Sequence, residues 1–155
     1  MKNEKLFIKK YQLEGRKITL VEIEDIIINK QGIEICEYQE SEEELKIIGF
    51  LDYSKYADSF IYTDKNHRIL FINGNISEEN RLFLLLHEEG HVWYNHQPFA
   101  CINDNLKLEN EREADNFANL LFKRNSNLHR LRYFILIAII FIIVISTMII
   151  NLFIA

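Results

Sequence analysis

Apolar positions between residues 18 and 30 fall at helical spacing, with Leu20, Ile23, Ile27 and Ile28 on one side and Gln31-Gly32 as a stop. The pattern then shortens. Residues 33–38, 45–51, 60–63 and 68–72 are brief, rich in β-branched and aromatic side chains, and separated by polar turns such as Asp64-Lys65-Asn66. They predict a small, mostly antiparallel sheet. Asn73-Gly74 ends the last strand, and Ser77 followed by Glu78 and Glu79 opens a helix expected to run to about Tyr94. A second helix is predicted over residues 108–122, with Ala114, Phe117, Ala118 and Leu121 inward and Glu109, Arg112 and Asn119 outward. A loop with Gln97, Pro98 and Asn103-Asp104-Asn105 joins the two helices. The fold class that follows is α+β.

The end of the chain reads differently. Residues 133–150, YFILIAIIFIIVISTMII, carry no charge, and Ser146 and Thr147 are their only polar breaks. A lone strand in a bilayer would leave its amides unpaired at several kcal/mol each, so a transmembrane helix over residues 133–154 is expected. Lys123, Arg124, Arg130 and Arg132 precede it and no base follows it, which by the positive-inside rule leaves the main domain in the cytosol. The N-terminal stretch MKNEKLFIKKYQLEGRK has no secretory pattern. The expected organisation is a cytosolic domain over residues 1–123, a basic neck over 124–132, and one span in the cell membrane.

Charge and cysteine usage narrow the classes further. Every Asp and Glu lies at or before Asp115, and setting aside the four bases next to the span leaves 14 basic against 23 acidic residues, a balance of −9. Phosphate recognition needs a basic face, so direct nucleic-acid binding is not expected. Cys36 and Cys101 form no CxxC pair and read as small apolar side chains in a reducing compartment. The run Glu40-Ser41-Glu42-Glu43-Glu44 lacks the spaced ligands and glycine turn of a calcium loop and reads as a solvated loop.

The chemistry lies in His87-Glu88-Glu89-Gly90-His91, an HExxH pattern. Residues four apart share a helix face, so both imidazoles can address one metal ion, with Glu88 beside it as general base. The flanking Leu82-Phe83-Leu84-Leu85-Leu86 and Val92-Trp93 make the helix a buried one, where unpaired His, Glu, Glu and His would cost several kcal/mol; a divalent cation is the simplest group to satisfy all of them. A catalytic zinc takes three protein ligands and keeps one position for water. The HExxHxxGxxH solution is excluded, because Tyr94 and Gln97 stand where Gly and His would be needed. The downstream Glu111-Arg112-Glu113-Ala114-Asp115 supplies Glu111 as third ligand, with Glu113 as the alternative, and Asp115 one turn on as partner for a ligand histidine's second nitrogen. Tyr94 and His96 are candidate oxyanion donors, against a plain reading as helix-end residues. His67 and His129 read as surface residues.

The segments NRLFLLLHEEGHVWYNH and EREADNFANLLF, preceded by RILFINGNIS, resemble the ImmA/IrrE family of metallopeptidases over roughly residues 69–122. Family members carry HExGH and a downstream ExxA(N/D)xFA, matched here by His87, Glu88, Gly90, His91, Glu111, Ala114, Asp115, Phe117 and Ala118. The resemblance implies a zincin-like domain of the gluzincin type, a Zn2+ cofactor and endopeptidase activity on a protein substrate, in characterised relatives a helix-turn-helix transcriptional repressor. The chain departs from the family where Leu-Met-Pro and further soluble helices usually follow, since Leu120-Leu121-Phe122-Lys123 leads to the apolar segment instead. That departure favours a membrane-proximal target or a partner encoded nearby. The competing function is a non-catalytic metal-binding regulatory module of the same fold, against which the intact Glu88 argues. A protease acting inside the bilayer is disfavoured by the polar surroundings of the motif.

Overall fold

A computed structural model describes residues 3–96 and 104–154. Cys101, Gln97, Pro98 and Asn103 lie outside the described residues. The elements in order are α1 (Glu4–Lys10), α2 (Leu20–Asp25) running into a π-helical turn (Ile26–Lys30), β1 (Glu34–Glu37), α3 (Glu42–Ile47), β2 (Ser59–Thr63), β3 (Arg68–Ile72), α4 (Glu78–Tyr94) and α5 (Asp104–Ile154). The α+β expectation is met.

The sheet has the order β1-β3-β2, with β1 parallel and β2 antiparallel to β3. It is therefore mixed, not mostly antiparallel: the crossover from β1 through α3 returns the chain on the far side of the position β3 takes. Alternation sends Leu70 and Ile72 of β3 into the main core with Ile23, Ile27, Leu85, Leu86, Phe117 and Leu121. Phe71, with Phe60 of β2, points to the other face and packs with Tyr38, Leu45, Phe50 and Tyr53.

Two local readings are corrected. Residues 45–51 are not a strand: Leu45 is fully buried while Ile47 is 84% exposed, and Glu42, Glu43 and Glu44 fill the first turn of α3, where acidic groups favour helix. The same three residues make the second part of the acidic run helical, with Glu40 and Ser41 preceding the helix. Gly49, at φ 79°, turns the chain out of that helix. At the N-terminus the charged stretch forms α1, capped by Asn3 and anchored by Phe7, whose ring meets Tyr11, Trp93 and Phe117 edge-on.

α5 extends through 51 residues without a proline or glycine. Residues 124–132, expected as a neck, are helical and partly docked: Asn125 is buried, its Oδ1 accepting from the Ile18 N–H at 2.8 Å and its Nδ2 donating to the Ile18 carbonyl at 2.7 Å. Arg124 donates to the Leu13 carbonyl. Further along, α5 is long and apolar enough to cross a membrane, with a mean hydropathy of 2.3 in a window none of which is buried against the protein.

Candidate active site

α4 begins at Ser77, whose hydroxyl accepts from the Asn80 N–H, and it buries Leu82, Leu85 and Leu86. Those residues set its rotation, which turns His87 and His91 toward α5 and Glu88 toward β2. Against it, α5 approaches closely because Gly90 faces Ala114: a Cβ at position 90 would lie 2.9 Å from the Ala114 Cα and 3.2 Å from its carbonyl oxygen. Gly90 is needed for space, not for an unusual backbone angle.

That approach brings the candidate ligands together. His87 Nε2 and His91 Nε2 are 3.1 Å apart, and Glu111 Oε2 lies 3.3 Å from the first and 3.7 Å from the second. His87 Nδ1 is 2.9 Å from Asp115 Oδ1. The Asp115 carboxylate accepts there, so a proton sits on Nδ1, and Nε2 is the nitrogen that faces Glu111 and His91. Contacts with His87 and His91 hold the Glu111 carboxyl well below the usual range against the opposing effect of burial. For His87, burial acts to lower the pKa, but hydrogen bonding to Glu111 and the charges of Glu88, Glu111 and Asp115 raise it overall.

Glu88 is 5% exposed and accepts a hydrogen bond from the Ser59 hydroxyl at 2.7 Å, so one carboxylate oxygen is fixed against β2. Burial raises its pKa, with the Ser59 hydrogen bond and the two histidines opposing. These residues line a cleft of about 530 Å³ walled by α4, α5 and β2. Tyr53 also lines the cleft, its phenol pKa raised further above neutral by burial and then by Glu111 and Glu88.

The model of the Peptidase_M78 family, described as the IrrE N-terminal-like domain, matches residues 30–137. The chain belongs to this family. Comparison with curated proteins and with solved structures gives no match.

A Peptidase_M78 domain implies a metal, and the donor set here fits one. Two imidazoles and a carboxylate with a fourth side open to a cleft is the ligand set of a catalytic site. Donors bonded at about 2.0–2.1 Å around a tetrahedral ion are roughly 3.3 Å apart, which the three separations above bracket.

The expected oxyanion donors are placed otherwise. Tyr94 is not among the residues lining the cleft: its ring stacks on His96 and meets Phe117 edge-on. His96 does line the cleft, but its ring nitrogens are engaged by His91 and Glu113, leaving no N–H for an oxyanion. Glu113 contacts His96, and the grouped donors are His87, His91 and Glu111. Ser59 and Tyr53 carry no sequence signal as site residues; only the seating of β2 beside α4 reveals them.

Glu89 is also a correction. Sequence reasoning assigned it to the cation, yet it points away into the core, where Gln31 Nε2 contacts both carboxylate oxygens at 2.7 Å. Burial lifts its pKa to about 8, with Gln31, Lys10 and Arg68 opposing. Gln31 Oε1, buried and without a partner, becomes an acceptor for the Glu89 acid proton if the amide turns over. Because the folded pKa lies above the ordinary 4.5, the stabilisation from this group is complete below pH 4.5 and is lost as pH rises through about 8. The full chain in detergent should therefore lose on the order of 2–5 kcal/mol from this group between pH 5 and pH 9. Urea titrations followed by fluorescence of Trp93, the single tryptophan, check this: the loss should be much smaller in Glu89→Gln at equal metal loading.

Proposed function

We propose that the protein is a zinc-dependent endopeptidase that hydrolyses a peptide bond of a protein substrate while held at the cytosolic face of the cell membrane by the apolar part of α5. The convergence of His87 Nε2, His91 Nε2 and Glu111 Oε2 beside a buried Glu88 carries this reading. His87, His91 and Glu111 would hold the zinc ion, which would supply Lewis acidity at the reacting centre.

The protein's own residues do the rest. Among the described residues β2 pairs only with β3, and its other side runs along the cleft, where an extended substrate segment can bind as an added strand. Ser59 steadies Glu88 with one carboxylate oxygen bound and the other free. Glu88 takes a proton from the attacking water at that free oxygen and returns it to the leaving amine nitrogen. Asp115 keeps the proton of His87 on Nδ1 throughout. Tyr53, facing the same cleft, presents a phenol to the carbonyl side.

Anchoring restricts the substrate. At 1.5 Å per residue, the helix from Glu111 to Tyr133 sets the site roughly 33 Å from the start of the apolar segment. Substrates reached there are cytosolic proteins or the cytosolic parts of membrane proteins, a transcriptional repressor among the candidates by family resemblance. The acidic domain keeps nucleic acid itself off the list.

The test recovers the full chain from carbonate-washed membranes in detergent, measures metal content, and offers a library of unstructured peptides read by mass spectrometry. About one zinc per chain, cleaved peptides, and loss of both with a chelator or with His87→Ala are expected. Stoichiometric zinc without cleavage of peptides or of candidate repressors would favour the non-catalytic module, and recovery in the soluble fraction would remove the anchor.

A further inference from the structure

α4 ends in a way that brings a third histidine to the site. Asn95 adopts the left-handed conformation, φ 61° and ψ 45°, with its N–H on the Val92 carbonyl at 3.1 Å and the His96 N–H on the His91 carbonyl at 2.9 Å. This pair of bonds is a Schellman closure, and it folds the chain back one turn so that His96 lies over His91. Its side chain is only 6% exposed. His96 Nδ1 is 3.0 Å from His91 Nδ1, and His96 Nε2 is 3.0 Å from Glu113 Oε2.

Proton bookkeeping along this row has one solution compatible with a metal ligand. If His91 Nε2 is to offer a lone pair, its proton must sit on Nδ1 and be donated to His96 Nδ1. His96 must then carry its own proton on Nε2, where Glu113 Oε2 accepts it. Without that acceptor, His96 is free to take the Nδ1–H form, which sets N–H against N–H or pushes the His91 proton onto Nε2, the atom that faces Glu111 and His87.

We propose that Glu113 and His96 are positioning residues that hold His91 in its metal-binding tautomer, as Asp115 does directly for His87; this rests on the metallopeptidase reading above. Glu111, Glu113 and Asp115 then have three separate tasks from one five-residue stretch of α5. The two ligand histidines differ in how they are held, one by a carboxylate in contact and the other through an intervening imidazole.

The experiment measures zinc affinity of the full chain in detergent by competition with a chromophoric chelator, which needs no substrate. Glu113→Ala should weaken binding about tenfold, within the 10- to 100-fold range for lost outer partners. Glu113→Gln should bind nearly as wild type, because its amide oxygen still accepts from His96. His96→Phe should weaken binding at least as much as Glu113→Ala, and adding Glu113→Ala to it should do nothing further, because Glu113 acts through His96. Glu113→Ala and Asp115→Ala should multiply. Wild-type affinity in Glu113→Ala, no rescue by Gln, or multiplying effects of His96→Phe and Glu113→Ala would overturn the proposal and leave the metal site standing. Absence of zinc binding by the wild-type chain would remove the metallopeptidase reading and this proposal with it.

Discussion

Glu88→Gln is expected to keep the metal and to lower peptide hydrolysis by about 100- to 10,000-fold, the usual worth of a positioned general base. The change is nearly isosteric, and the Ser59 hydroxyl, now 2.7 Å from Oε1, can donate to an amide oxygen as it does to a carboxylate. His87, His91 and Glu111 are untouched, so zinc content should equal that of the wild type. What disappears is the acceptor for the water's proton. Burial lifts the Glu88 pKa above that of an ordinary carboxylate, and a neighbouring metal cation acts in the opposite sense. The base works only when ionised, so the wild-type rate should fall as pH drops through the Glu88 pKa. Ser59→Ala removes a group that lowers this pKa, and the acid limb of its profile should move upward while zinc content holds. Peptide cleavage by Glu88→Gln at the wild-type rate would show that another group is the base.

Much of the site was legible because its physics is local. The four-residue spacing of His87 and His91 fixes a shared helix face, Ser77 marks where that helix starts, and the interval from Glu111 to Asp115 puts ligand and partner on adjacent turns. Legibility failed where burial overrode composition. Residues 45–51 have the β-branched content of a strand, yet acidic residues at the front and a single buried leucine make a helix. Glu89 looked like a site residue because it sits between two ligands in sequence; one step along a helix is a rotation of about 100°, and that step faces Gln31. The Glu113–His96 contact depends on a left-handed Asn95, and Ser59 reaches Glu88 only because β2 is the edge strand beside α4. None of these has a spacing rule.

Gly90 is where fold and chemistry meet, and Gly90→Ala should damage the site more than the fold. Alanine favours helix over glycine by about 1 kcal/mol, which works for the variant. Against it stands a methyl group 2.9 Å from the Ala114 Cα, a backbone atom that cannot swing aside, with an overpacking cost of roughly 1–3 kcal/mol. The first offsets part of the second, so the urea midpoint should fall only modestly. The contact is relieved by moving α5 away from α4 by several tenths of an ångström, and Ala114 lies between Glu111 and Asp115. Separations of 3.1, 3.3 and 3.7 Å among three donors do not survive that shift unchanged. Zinc affinity should fall by at least tenfold, in line with the cost of disturbing outer partners, and hydrolysis should fall with it. Adding Ala114→Gly removes the 3.3 Å contact with the Ala114 Cβ but neither backbone contact, so rescue should be partial. Gly90→Val, with two more methyl groups, should lose both metal and cooperative unfolding. Wild-type zinc affinity in Gly90→Ala would mean that the helices have slack at this crossing, and that the ligand geometry is set elsewhere along α5.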